Sequence, residues 1–332
     1  MVQNHTGGAG LPSAFGSTEV ERTIKNIPGL EEAGLRLSRA VHEAVLSGGE
    51  PTRALADVLH GVWLGHSLHA AMVTLPIGAW TSAAAFDAYA AVSGAREAEW
   101  AADRLLTLGV VAAIPTAMAG LTDYSAIKKD AAALGMAHAL LNSTALSLFL
   151  GSLWARAARN RGLGVLLSTA GLAAVTVSGV LGGDLSYRRR VGVNHAPSPT
   201  GPEQWTRALA LEELDLNGTR RVEVDGAPVL LYRDADGIHA IGAVCSHAGG
   251  PLEEGKIANH CVECPWHQSV FDLRTGEVVH GPATHAQPAY EARVWGNQVE
   301  VRLVRSESLE GAAADERAAA PSRQGERVGL ES

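Results

Sequence analysis

Two short stretches hold the side chains most able to do chemistry in this chain: Cys245-Ser246-His247 and Cys264-Pro265-Trp266-His267. Each couples a thiol to an imidazole within turn-forming sequence. Gly249, Gly250 and Pro251 follow the first pair, Pro265 lies inside the second, and Thr275-Gly276 comes shortly after. Two soft sulfurs and two borderline nitrogens suit a tetrahedral zinc, or a two-iron cluster with both histidines on one iron. The alternation within each pair favours the cluster, because Cys245 and Cys264 can then share one iron while His247 and His267 share the other.

The pattern Cys-x-His, sixteen residues, Cys-x-x-His, running on into Gln268-Ser-Val-Phe271-Asp272-Leu-Arg-Thr275-Gly276, resembles a Rieske [2Fe–2S] domain, over roughly Trp205 to Leu303. That resemblance implies one-electron transfer at a cluster held by Cys245, His247, Cys264 and His267. Quinol-oxidising members carry a disulfide beside the cluster, and here Gly250 and Trp266 occupy the corresponding places. They also use a serine and a tyrosine hydroxyl as donors near the cluster. Ser269 matches the serine, whereas Phe271 replaces the tyrosine. The resemblance therefore implies a low potential, as in oxygenase-type ferredoxins. A complete Rieske oxygenase would need a second domain with a mononuclear iron, and only a short tail follows Leu303. An electron-transfer component is expected instead.

The elements that must position this motif begin far upstream. Ala70–Phe86 (continuing past Asp87 to Ala95), Leu105–Thr122, Ala131–Ala155 and Gly162–Gly183 are long apolar runs rich in Ala, Gly, Ser and Thr. About 20 apolar residues cross a hydrocarbon core, so the expected fold is an all-α four-helix transmembrane bundle followed by an all-β Rieske-type domain. Gly179-x-x-x-Gly183 is a candidate for close helix approach. Between residues 54 and 195, His60-Gly-Val-Trp-Leu-Gly-His66-Ser67-Leu-His69, Gly120-Leu-Thr-Asp123, His138-Ala-Leu-Leu-Asn142 and Ser178-Gly-Val-Leu-Gly-Gly-Asp184 resemble a family of uncharacterised four-helix bacterial membrane proteins, DUF2231, with Ser67 where proline is commoner. That family implies topology and no particular activity.

Six segments are expected. Residues 1–25, rich in Gly, Ser and Thr, are read as disordered, and 26–60 as an amphipathic helical segment on the membrane surface or packed on a partner domain, with an ordinary packing helix as the plainer and preferred reading. The bundle covers 61–190, and a Pro-rich linker 191–204. Strands with turn dipeptides over Val222–Val224, Val229–Tyr232, Ile238–Val244 and Val294–Val304 build the domain 205–304. A disordered tail spans 305–332.

The chain has 332 residues, 19% of them charged, and a net charge of −8, which offers no basic surface for nucleic acid. Its mean hydropathy of +0.06 averages two unlike halves. The third cysteine, Cys261, has no partner left for a disulfide and reads as a small strand residue. An even number of spans puts both termini on one side of the cell membrane, and a slight excess of Lys and Arg there, together with no visible export signal, makes that side cytoplasmic.

Up-down topology brings His66, His69, Asp123, His138 and Asp184 to the membrane face that carries the cluster domain. Ionisable groups at this depth usually have a role. The chemical reading is a b-type haem held by two histidines, best His69 with His138, or a quinone site; the plainer one is hydrogen bonding that ties helix ends. The expected function is membrane-anchored electron transfer with membrane lipid and unidentified redox proteins or quinone as partners. The alternatives are a redox-sensing regulatory membrane protein and a quinone-linked subunit of an oxidoreductase complex.

Overall fold

The computed structural model describes residues 17–197 and 201–304; the expected tail at 305–332 lies outside them. Part of the segment expected to be disordered is helical: α1 spans Ser17–Lys25. Composition missed it because it is short and docks by a single apolar residue, Ile24, beside charge pairs. Glu21 pairs with Lys25 at 2.8 Å and with Arg189 just beyond α8.

The amphipathic segment is two helices, α2 (Leu30–Ser47) and α3 (Gly49–His60), broken where Gly49 takes φ +70°. Helix α2 packs on its own chain. A Cβ at Gly34 would lie 2.5 Å from Tyr124 Oη and 2.7 Å from Ala132 O, so only glycine allows the approach. Ser38 Oγ donates to Ser125 O at 3.0 Å beside it.

After a 3-10 turn and the short helix α4 (Leu68–Met72) come α5 (Thr74–Ser93), α6 (Arg96–Tyr124), α7 (Lys129–Ala157) and α8 (Arg161–Gly183), the last continuing through a π turn to Arg188. Helices α6, α7 and α8 are long and apolar enough to cross a membrane. At 1.5 Å per residue, α6 and α7 reach about 43 Å, beyond the ~30 Å hydrocarbon core. Of the four expected spans α5 does not meet that standard among the described residues; it carries Asp87 in its second half. Leu108, Val111, Ile114, Leu166 and Val177 point outward and exposed, an apolar surface that water would not tolerate.

Polar groups lock the bundle end remote from the β-domain. The Arg156 guanidinium, 4% exposed, reaches Asp87 at 2.5 Å and Asp103 at 2.7 Å, and its remaining donors meet Ser152 and Ser168 at 3.1 Å each. Arg161 bridges the same two carboxylates. Helices α5, α6, α7 and α8 are thereby stapled together. Close packing elsewhere falls on other glycines than expected: Gly109 lies against Trp80 and Gly171 against Phe149, whereas Gly179 and Gly183 face open space.

The β-domain has two antiparallel sheets. The larger runs β1 (Thr206–Ala210), β10 (Gln298–Leu303), β9 (Ala289–Trp295), β4 (Ile238–Gly242), β3 (Ala227–Arg233), β2 (Thr219–Val224). The expected strand 294–304 is split into the β9–β10 hairpin at Gly296, φ +59°. Asp225 and Gly226, both at positive φ, make the turn between β2 and β3. The smaller sheet is β5 (Lys256–Ala258), β6 (Cys261–Glu263), β7 (Val270–Asp272), β8 (Val278–His280). Val229, Leu231, Val299 and Val301 are fully buried in one core; Leu230, Ile241, Val262, Phe271 and Leu273 fill a second, which also takes in Cys245 and Cys264. Each such side chain contributes about 1.5–3 kcal/mol.

Candidate metal centre

Two hairpin loops rise from this second core, one after β4 and one between β6 and β7. Each is closed by backbone bonds: Gly249 N donates to Cys245 O and Cys245 N to Gly250 O on the first, Gln268 N to Cys264 O and Cys264 N to Ser269 O on the second, all at 2.8–3.0 Å. The tight turns aim further N–H groups at sulfur. Those of His247 and Ala248 point at the Cys245 thiol, those of Trp266 and His267 at the Cys264 thiol. The two sulfurs hydrogen-bond to one another; that bond, helped by the N–H groups, brings Cys264 down to about 7, while it and burial push Cys245 up. A metal would favour both as thiolates.

The imidazoles of His247 and His267 stand edge to face, 4.9 Å between ring centroids. Burial lowers both, His267 to about 4 and His247 well below its ordinary range, so both are neutral, the ligating form. Both Nδ1 atoms are buried without a hydrogen bond. An orphaned buried nitrogen is costly, and two of them on adjacent imidazoles, carried by the same loops as two hydrogen-bonded sulfurs, make a donor set that fits a two-iron cluster. Gly250 makes room for it: a Cβ there would lie 2.8 Å from Cys264 Sγ and 3.2 Å from the Trp266 ring. Gly250 and Trp266 are therefore neighbours, as the comparison with quinol-oxidising members requires. Ser269 is fully buried, its Oγ accepting from Ala283 N at 3.0 Å, and Phe271 packs in the core with no polar atom to offer.

The loops are partly covered by the rest of the chain, with Pro265 and Trp266 left exposed. Asp57 on α3 accepts from His280 Nδ1 at 2.8 Å and Gly281 N at 2.7 Å. Lys128 Nζ donates to Ala248 O at 3.0 Å, and His195 N, in the linker, to Ser246 O at 2.8 Å. A cleft of ≈ 40 Å³ remains between bundle and loops, lined among others by His60, Ser67, Asp123, His195, His247 and His285. That holds two or three waters.

The polar belt divides. Asp123 lies at the cleft, accepting from His60 Nδ1 at 2.8 Å and Ser67 Oγ at 2.7 Å. His66 is exposed, with Ser67 O 3.2 Å from its Nδ1, and Asp184 lies 3.8 Å from Arg188. His69 and His138 do meet across the bundle, centroids 6.4 Å apart. Their Nδ1 atoms pair with Thr116 O and Ser178 O at 2.9 Å, and Asn142 Nδ2 lies 3.0 Å from His138 Nε2. Sequence reasoning missed Asp57, His280 and Lys128, whose partners lie in the other domain; His60, inside a quoted motif, was the one with a signal.

Cluster loops of this kind on a two-sheet β-domain, behind apolar helices, define an iron–sulfur electron-transfer domain joined to a membrane domain. Residues 204–291 match the Rieske [2Fe-2S] domain family, and residues 65–195 match the family described as "Predicted membrane protein (DUF2231)". The chain is 38% identical to the anthranilate 1,2-dioxygenase ferredoxin subunit of Burkholderia cepacia, over 30% of this chain and 93% of that protein. It is 33% identical to human apoptosis-inducing factor 3, of which it spans only 18%. The ferredoxin of carbazole 1,9a-dioxygenase from Nocardioides aromaticivorans IC177 is similar at 33% identity over 30% of this chain and 97% of that one, TM-score 0.29. The chain belongs to the Rieske [2Fe–2S] family and carries that cluster, on a helical half of the DUF2231 type.

Proposed function

We propose that this protein is a membrane-anchored one-electron carrier, with Cys245 and Cys264 holding one iron and His247 and His267 the other. The observation that carries the assignment is the pair of orphaned Nδ1 atoms on adjacent edge-to-face imidazoles, on the same two loops as two hydrogen-bonded thiols that receive backbone N–H groups. A [2Fe–2S] centre of this type supplies reversible transfer of single electrons. The side chains around it exclude water and fix the donor atoms; Phe271 and the Gly250–Trp266 contact withhold the hydroxyl donor and the disulfide that accompany high potential, which supports a low one. Iron and sulfide analysis of the detergent-purified full chain tests this. Two irons and two labile sulfides are expected, and stoichiometric zinc without sulfide would overturn it.

Helix α5, about 30 Å long at 1.5 Å per residue, serves as the fourth span, its Asp87 neutralised by Arg156 and Arg161. That restores the four-helix bundle and the division into amphipathic segment, bundle, linker and Rieske domain. Arg53, Lys128, Lys129, Arg188, Arg189 and Arg190 lie on the cluster side, against Arg96, Arg104, Arg156, Arg159 and Arg161 opposite. Arg156 is buried within the helices rather than in a loop, which leaves six against four and favours a cytoplasmic Rieske domain.

Anthranilate and naphthalene dioxygenase ferredoxins, by their names, serve oxygenases. In this chain the face of the loops is occupied by its own α3, linker and bundle end, so electrons enter or leave at the membrane face. The cleft beside His247 is where a quinone would approach, one electron coming from each reduced cluster and the protons its reduction takes up passing by way of His60 and Asp123, once the cleft widens. His69 and His138 tie helix ends, since their Nδ1 atoms are spent on carbonyls and Asn142 sits at the His138 Nε2. Purified protein with no haem Soret band, whose chemically reduced cluster is reoxidised by added quinone, is the expected result; a Soret band lost in His69→Ala would instead assign haem to that pair.

A further inference from the structure

Away from the cluster loops, the β3–β4 turn and the β5–β6 turn bring Asp234, His239 and His260 together, one ligand atom of each lying within 4.8 Å of the others. We propose that these three side chains form a second metal site, for a divalent ion of borderline softness such as Zn2+.

The carboxylate is already oriented. Asp234 Oδ1 accepts from Asp236 N at 2.9 Å and Gly237 N at 3.1 Å, which leaves Oδ2 turned toward the imidazoles. His239 Nε2 and His260 Nδ1 each lie 3.1 Å from that oxygen. A tetrahedral ion with arms of about 2.1 Å has edges of about 3.4 Å between donors, so two edges are nearly formed. The rings meet edge to face at 5.5 Å, and Tyr232 stacks on His239 from the neighbouring strand.

The second observation is the state of His260 Nδ1. It is buried and makes no hydrogen bond although Asp234 Oδ2 lies 3.1 Å away, while the other ring nitrogen, Nε2, lies 3.5 Å from Asp236. Among the described residues, buried histidine nitrogens without a partner occur only at His247, His267 and His260. Two of these face the cluster position; the third faces Asp234 and His239. Two imidazoles and a carboxylate suit Zn2+ or its neighbours rather than Ca2+ or Mg2+. All three residues are half-buried, leaving a fourth position to water. The ion would tie the two sheets together, since Asp234 and His239 lie on the β3–β4 hairpin of the larger one and His260 in the β5–β6 turn of the smaller.

The test uses the full-length, cluster-loaded protein in detergent, freed of adventitious ions by mild chelation, with Zn2+ as the probe in calorimetry and melting. Wild type is expected to bind one equivalent and to gain thermal stability with Zn2+. His239→Ala and His260→Ala are each expected to weaken binding at least 10-fold and to abolish that gain, with cluster absorbance at the wild-type level as the measure of folding. No binding by wild type, or equal binding by both folded variants, would overturn the proposal and leave an ordinary Asp–His hydrogen-bonded cluster.

Discussion

Asp57 is the one side chain of α3 that grips the β-domain with both carboxylate oxygens, and removing it should loosen the two halves measurably. A hydrogen bond to a charged group contributes about 1.5–3 kcal/mol. Asp57 and His280 are 20% and 19% exposed, so the lower end applies, giving ~3 kcal/mol for the pair of bonds. At 1.4 kcal/mol per tenfold, Asp57→Ala should open this contact roughly 100-fold more often. Asp57→Asn can still accept from Gly281 N but loses its charge opposite His280, and should cost about half, roughly 10-fold. The readout is amide hydrogen exchange of the peptide around Gly281 in full-length protein, with cluster absorbance confirming an intact β-domain. Lys128 to Ala248 O and His195 N to Ser246 O remain, so the effect should be local. Wild-type exchange at Gly281 in Asp57→Ala, with the cluster intact, would refute the clasp.

Phe271→Tyr should raise the cluster potential by adding a donor, and a wild-type midpoint above about +200 mV in the roughly −150 to +300 mV Rieske range would show that the low-potential argument is wrong. Gly250→Ala should cut iron and sulfide content to less than half, because its Cβ would meet Cys264 Sγ at 2.8 Å; full loading refutes the steric argument. Arg156→Met leaves Asp87 buried without its main partner and should cost about 3–5 kcal/mol, read as a lower melting temperature in detergent; an unchanged melt would mean Asp87 is already protonated or hydrated.

What the sequence made legible was whatever depends on spacing along the chain. Cys245, His247, Cys264 and His267 sit two and three apart on loops, so their convergence followed from the local pattern, and the alternation of apolar and polar residues in β2, β3 and β4 gave the sheet. The apolar runs gave α6, α7 and α8 for the same reason. Asp57 meeting His280 across 223 positions has no such signature, since it depends on how two sequence-distant parts of the chain dock. The glycine contacts failed similarly. Gly179 and Gly183 have the right spacing for a helix interface but the wrong azimuth, whereas Gly109 packs because Trp80 happens to lie opposite. Helix α1 was hidden because its docking rests on one buried apolar residue, Ile24, and on charge pairs of Glu21 whose partner Arg189 lies far along the chain.

Burial of polar groups separates the structural parts of this molecule from the working ones. At the remote end of the bundle Arg156 directs its donors to Asp87, Asp103, Ser152 and Ser168. A charge so fully paired in a low-dielectric interior has little left to offer a ligand. His69 and His138 likewise spend Nδ1 on backbone carbonyls. An unpaired polar atom alone is not enough, as Trp80 Nε1 shows: it is orphaned too, but it is donor-only and its ring is stacked on Phe149 at 4.0 Å. The discriminating feature is an orphaned lone pair converging with other acceptors on one point. Neutral His247 and His267 meet that condition beside two thiols, and a histidine nitrogen left bare among acceptors in a folded core is stable only if something positive is meant to sit there.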